Sequence, residues 1–439
     1  MKKIITLLFL TTQIAFSQDF SSETMSEIDS IQQLIEIDSA DCLLHYELGR
    51  IYFYEDEFNL AFSALEKAEN GECLDNPYLF DKLGFIKYAV NDQLEEALKD
   101  FNTAISFDST LDFTFYRRGN VFEELGDYEK AIEDYSKAIK LDSTYGAYFF
   151  ERAFAYFETE DFDNAINDFT AAIKIDSTDS DLFFNRGFLY QNYTKQYTLA
   201  LHDYNKVLRL DSLNGTVFYN RAQLFYHNFN QLDRALEDYT KSIELDSLCH
   251  KSFYYRGLAN YDLKEYKKAE ADLSNAIKIN PEQYLYYYDR AIIYYYHLNN
   301  PEKVLSDLNK CIELTPDNYD AFFLRARVYD FDLNDYDEAL SNYKKAIKLY
   351  PENEYYYLYL GQLYYYEFNK KMQALQCYNK ALKIDPDNES VLYQKGIVKH
   401  YGLQIGGEKD FKKACELGYE KACDELLEIK IAENEIEIE

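Results

Sequence analysis

Small and aromatic residues recur along this chain in a fixed order. Ala97/Phe101, Ala131/Tyr135, Ala165/Phe169, Ala200/Tyr204, Ala235/Tyr239, Ala339/Tyr343 and Ala374/Tyr378 align at steps of 34 or 35 residues or their multiples. A second small residue follows at Ala104, Ala138, Ala172, Ala276, Ala346 and Ala381. Ahead of each block runs an aromatic, a small residue four on, and an aromatic three beyond, as in Phe115-Gly119-Phe122, Phe149-Ala153-Tyr156 and Phe183-Gly187-Tyr190. Positions i, i+4 and i+7 share one helix face. Large residues on one helix need small ones on its partner for two backbones to approach. Each block therefore predicts two antiparallel helices, A and B, joined by a short turn such as Gly126-Asp127-Tyr128. One pair cannot bury its apolar face alone, so the pairs must stack. About ten of them fill residues 40–388.

Composition supports helix throughout: only 6 Pro and 15 Gly occur, and no Pro/Gly/Ser-rich linker interrupts the pattern. Asp-Ser marks the early boundaries, at Asp108-Ser109, Asp142-Ser143, Asp176-Ser177, Asp211-Ser212 and Asp246-Ser247. Pro281, Pro316, Pro351 and Pro386 mark the later ones. Side-chain capping or a missing N–H ends one helix and starts the next. Residues 1–17 read as an export signal. Lys2 and Lys3 precede the apolar run Ile4 to Leu10, and Ala15-Phe16-Ser17 suits cleavage before Gln18. No Cys follows that point, and no later run is long enough to span a bilayer. The expectation is an exported, periplasmic or otherwise extracytoplasmic protein without membrane insertion. Residues 18–39 suit a capping helix with Ile31 and Leu34 on one face, and residues 431–439 an acidic, fraying tail.

The pattern resembles the tetratricopeptide repeat, aromatic-x2-Leu-Gly-x2-Tyr, then Ala-x3-Phe, then Pro. Tyr357, Leu360, Gly361, Tyr364, Ala374, Tyr378 and Pro386 match it in full. The resemblance implies an all-α fold of tandem helix–turn–helix repeats coiled into a right-handed superhelical solenoid. It also implies A helices that line a concave face where peptides bind. Residues 389–430 look like a degenerate C-terminal cap. There, Lys413-Ala414-Cys415-Glu416-Leu417-Gly418 to Ala422-Cys423 resembles the related Sel1-like repeat. Eight residues on a straight helix span about 12 Å, too far for a disulfide. Gly418 allows a turn that returns Cys423 to Cys415, as in the Sel1-like pattern. Seven Cys in an exported chain favour such a bridge. Cys42 and Cys73 are a second candidate pair, while Cys249, Cys311 and Cys377 look single.

Chemistry is sparse. The six His sit at unrelated repeat positions without zinc-ligand spacing. No phosphate loop or nucleophile elbow occurs. The Asp176–Asp181 stretch lacks the Gly and closing Glu of a calcium loop and reads as an inter-repeat turn. We expect no catalytic residue, cofactor or metal. A net charge of −32 without a basic cluster excludes nucleic acid and disfavours acidic lipid surfaces. One charged pattern is regular. Asp100/Arg118, Asp134/Arg152, Asp168/Arg186, Asp203/Arg221, Asp238/Arg256, Asp272/Arg290 and Asp307/Arg325 all lie 18 residues apart. Where one partner is missing so is the other, as in Ala64/Leu83 and Asn342/Leu360, whereas pairing within a repeat leaves mismatches. The expectation is a structural ion pair joining each B helix to the next A helix, at a position where the family pattern has Leu.

Aromatics are the remaining signal: 45 Tyr and 31 Phe with no Trp. On the A helices the resemblance puts Tyr116, Phe150, Phe184, Tyr219, Tyr254, Tyr288 and Phe323 in the groove. Phe53, Tyr88, Phe157, Tyr226, Tyr261, Tyr295 and Tyr365 follow a turn or more along. The Lys, Asn and Arg set of relatives that clamp chaperone C-termini is absent. Such rings with acidic neighbours suit apolar or cationic side chains. The reading is a non-enzymatic scaffold that binds a protein or peptide in its concave groove. The alternative is a small-ligand or glycan-binding protein using the same rings.

Overall fold

The computed structural model describes residues 20–71 and 75–436, with side chains as far as Ile431. The export-signal expectation, Cys73 with its pairing to Cys42, and the last three residues of the tail lie outside the described residues. Among the described residues there are 24 α-helices and no strand. None of these helices is long and apolar enough to cross a membrane.

Two compact units divide the chain after Ser212. The first holds the lone helix Ser22–Ile37 and five A/B pairs, Cys42–Tyr54/Phe58–Asn70 through Ser180–Asn192/Tyr197–Leu210. The second holds five more, from Gly215–Gln223/Leu232–Leu245 to Glu354–Tyr366/Lys371–Ile384. Glu389–Ile397 with Glu408–Glu416 follow, and Glu420–Ile436 closes the unit. The disulfide Cys415–Cys423 joins the last two helices with Cα atoms 4.9 Å apart, across a turn where Gly418 has φ +99°. Cys249, Cys311 and Cys377 are free.

Side-chain size explains the pairing. Gly119 approaches Tyr135 so closely that an added Cβ would lie 2.6 Å from Cε1 of that ring. The small residue on helix A and the aromatic on helix B thus define how near two backbones come. The B-helix rings Tyr135, Tyr204, Tyr239, Tyr343 and Tyr378 are fully buried. A buried hydroxyl needs a partner, and helix A supplies it. Tyr135 donates to Asn120 at 2.8 Å, Tyr204 to Gln191 at 2.7 Å and Tyr343 to Asp330 at 3.0 Å, while Tyr239 accepts from Gln223 at 2.9 Å. Among the described residues, the Tyr378 hydroxyl finds no partner. Tyr378→Phe should therefore be neutral or stabilise the second unit by up to about 1 kcal/mol. Tyr204→Phe should cost about 1 kcal/mol, because Gln191 loses its donor. Thermal unfolding of both variants tests this: equal losses would show that the hydroxyl at 378 is satisfied.

The alternation of 34- and 35-residue steps has a structural cause. Helix A's Arg and helix B's Asp are 16 residues apart in the shorter repeats and 17 in the longer ones. The extra residue enters at the end of helix A. Four helices in the A position finish in a π turn, at Leu224–Asn228, Tyr294–Leu298, Val328–Asp332 and Val398–Leu403. At the end of Ser180–Asn192 the Gln196 N–H reaches back six residues to Tyr190, where the shorter repeats reach back five, as Asp127 does to Phe122. The wider turn takes up one residue without turning the rest of the helix.

Candidate interaction face

The charged ladder fixes how each A helix is turned. Arg152 donates through Nε and Nη2 to both oxygens of Asp168, each at 2.7 Å, and Arg186 does so to Asp203 at 2.8 Å. Arg118 holds Asp134, Arg221 holds Asp238, Arg256 holds Asp272 and Arg290 holds Asp307 in the same way. This corrects the expected 18-residue pairing: Asp134 is held by Arg118 and not by Arg152, Asp168 by Arg152 and not by Arg186, and Asp203 by Arg186. Each carboxylate belongs to the Arg of its own helix pair. The apparent mismatches are filled by other groups, Lys87 on Asp100 at 2.6 Å and the Asn342 amide oxygen on Arg325 Nε at 2.8 Å. Without an anion opposite it, the Arg325 guanidinium is pushed down by burial.

A link between repeats does exist, through a third residue. The Nη1 of Arg118, Arg152, Arg186, Arg256, Arg290 and Arg325 donates to Asn102, Ser136, Thr170, Thr240, Ser274 and Asn309 on the preceding B helix, at 2.5–3.1 Å. Its sequence signal is the Asn, Ser or Thr two residues after each Asp, a position that the Arg/Asp spacing alone does not point to. The Asp side chains are nearly dry, and Asp203 is 1% exposed. Burial pushes the Asp168 carboxyl upward against the pull of Arg152. One Arg thus ties two B helices to one A helix, in bidentate geometry that Lys cannot reproduce.

With that side anchored, the A helices turn rings toward the other. All seven predicted groove rings are only partly buried, and they rest on neighbouring rings rather than standing free. Tyr116 lies 5.0 Å from Tyr148 and Phe150 4.9 Å from Phe154, measured between ring centres. Phe184 lies 6.3 Å from Tyr204 and Tyr219 6.2 Å from Tyr239. Tyr254 lies 4.6 Å from Tyr286 and Phe323 4.6 Å from Tyr356. Tyr288 packs against the core built around Val304 and Leu308. Burial raises the hydroxyls of Tyr116, Tyr219, Tyr254 and Tyr288 well above their ordinary value, so all four stay protonated donors.

Hydrogen bonds one repeat apart knit the A helices together. Tyr226 donates to Asp262 and Tyr254 to Asp289, each at 2.7 Å. Tyr148 donates to Asp112 and Tyr356 to Asp320 in the reverse direction, and His250 meets the Tyr286 hydroxyl at 2.7 Å. The sequence signal is a Tyr with an acid or His 35 or 36 residues away, which also went unread. A regular series of open rings stands elsewhere. Tyr296, Phe331, Tyr366 and Tyr401 follow one another at intervals of 35 and are 53%, 54%, 55% and 49% exposed.

Helix pairs repeated in tandem, seven of them clamped by one arginine, define an α-helical repeat protein. Models of the tetratricopeptide repeat match residues 113–145, 155–192, 228–284, 330–366 and 365–400. The chain therefore carries tetratricopeptide repeats in both units. No curated protein matches it. Among solved structures it is similar to YrrB, described as a TPR protein with an unusual peptide-binding site. That match has 26% identity and a TM-score of 0.39, over 44% of this chain and 97% of that one. It is also similar to yeast Tom70, with 17% identity and a TM-score of 0.38 over 90% and 96% of the two chains. A tetratricopeptide repeat protein from Parabacteroides merdae matches with 20% identity and a TM-score of 0.41, over 58% and 98%.

Proposed function

We propose that this chain is a non-enzymatic scaffold that receives a protein or peptide partner on its A-helix faces. The observation that carries the reading is the bracing of the rings. Tyr226 and Tyr254 are tied by their hydroxyls to carboxylates one repeat away, and six of the seven groove rings rest on other rings. A surface already fixed in this way loses little freedom on binding, which is why Tyr is enriched where interfaces gain most. Tetratricopeptide repeats suit the role because stacked pairs give a long surface for extended ligands.

We further propose that the scaffold works outside the cytoplasm and that residues 389–430 form a Sel1-like cap. Lys2, Lys3 and the Ile4–Leu10 run support export. The Cys415–Cys423 bridge suits an oxidising compartment and closes the last helix turn. A mature N-terminus at Met1 rather than Gln18, in protein from the native host, would overturn the export reading.

The binding test changes Tyr219 and Tyr254 to Ser together. Helicity and melting temperature must first be shown to persist. A ring fully covered by a partner contributes roughly 1.5–3 kcal/mol, so the partner cross-linked in intact cells should be lost. An unchanged partner list with the fold intact would move the site off this face.

A further inference from the structure

We infer that the A-helix face of the second unit takes an arginine-rich segment of its partner, seated along Tyr296, Phe331, Tyr366 and Tyr401. This rests on the scaffold reading and adds the chemistry of the occupant.

Four consecutive helix pairs each offer one of these rings, and about half of each side chain stays open. Three of the hydroxyls are engaged sideways: Tyr296 accepts from Arg327 at 2.7 Å, Tyr366 donates to Gln394 at 3.0 Å, and Tyr401 donates to Glu425 at 2.5 Å. The rings are therefore held while their surface remains uncovered. Phe331 has no polar end to explain its exposure. Carboxylates surround the column. Asp262 and Asp289 act on Tyr261 beside Tyr296, Asp332 acts on Tyr295, and Glu425 and Glu428 act on Tyr401. Asp289 accepts from the Tyr254 hydroxyl, and burial pushes its carboxyl up. Arg327 offsets Asp332, and a cation placed beside the remaining carboxylates would be attracted to them.

The face already holds one guanidinium in this manner. Arg327 sits 5.2, 5.7 and 5.1 Å from the ring centres of Tyr295, Tyr296 and Tyr359. A planar, weakly hydrated guanidinium stacks on such rings better than an ammonium does. The charge of −32 opposes an acidic peptide or a second copy of the chain as occupant.

The test titrates the full-length protein, with its disulfide intact, against fluorescein-labelled poly-arginine, poly-lysine and poly-glutamate peptides of equal length. Poly-arginine should bind several-fold tighter than poly-lysine, poly-glutamate should not bind, and affinity should fall as salt rises from about 50 to about 300 mM. Phe331→Ser and Tyr366→Ser leave the net charge unchanged. Each should weaken poly-arginine about fivefold at an unaltered melting temperature. Equal binding of the arginine and lysine peptides, or serine variants that bind like wild type, would overturn the inference, since charge alone would then explain attraction. So would variants that fail to fold, if a mild Phe331→Leu change that keeps the fold binds undiminished. Loss of the cross-linked cellular partner on Tyr219→Ser/Tyr254→Ser without poly-arginine binding would sink this inference alone. An unchanged cellular partner together with no poly-arginine binding would sink the scaffold reading as well.

Discussion

Arg186→Leu will lower the stability of the first unit by about 3 kcal/mol, because it strands the Asp203 carboxylate where water does not reach it. Asp203→Leu will cost a similar amount by stranding the guanidinium. The double variant will recover most of the loss, since two apolar side chains replace a buried pair without leaving a charge behind. A strong coupling energy between 186 and 203 is the expected readout of thermal or denaturant unfolding. Asp168→Leu combined with Arg186→Leu will instead be additive to within about 0.5 kcal/mol, because Asp168 is held by Arg152. Coupling between 168 and 186 with additivity between 186 and 203 would restore the pairing first expected from the 18-residue spacing.

Asp330→Asn will stabilise the second unit at pH 8 and do little at pH 4. Burial pushes the Asp330 carboxyl up to about 6, beside the Tyr343 hydroxyl that donates to it. The folded state therefore keeps a proton that the unfolded chain has already released between about pH 4 and about pH 6. Stability falls as pH rises through that window and is level above it. Two pH units correspond to nearly 3 kcal/mol, and water at the edge of the site reduces this to about 2 kcal/mol. Asparagine keeps an oxygen for Tyr343 and carries no charge to desolvate. Melting temperatures of wild type and variant should converge on acidification. A constant difference across the range would mean that the carboxylate is not the source.

Much of the repeat was legible because periodicity reports which residues share a helix face. Ala131 with Tyr135 and Gly119 with Phe122 define the two helices and their contact. Periodicity does not report how one helix is rotated against the next, and the failures lie there. Positions 16 and 18 residues from an Asp both fall on an opposing antiparallel helix, one within the repeat and one across its boundary. The mismatches at Asp100 and Asn342 tipped the choice wrongly. A lysine one turn away and a side-chain amide satisfy those sites, and neither matches the Arg/Asp letter code. Rotation also decides which rings stay open. Tyr288 packs against the core, whereas Tyr296, two turns on, is half open. Such a difference depends on the neighbouring helix, which a single repeat's sequence does not contain.

The π turns show where this architecture tolerates a change of length. A residue added within helix B would swing its Asp about 100° away from the guanidinium and undo the clamp. Added at the end of helix A, the same residue leaves every clamp intact. That end is also where Tyr296 and Phe331 are displayed, each inside a π turn. Repeat length and surface chemistry are thus coupled at one joint. For recombining or grafting these repeats, 34- and 35-residue units are not interchangeable cassettes. Exchanging one for the other keeps the scaffold and rewrites what it presents.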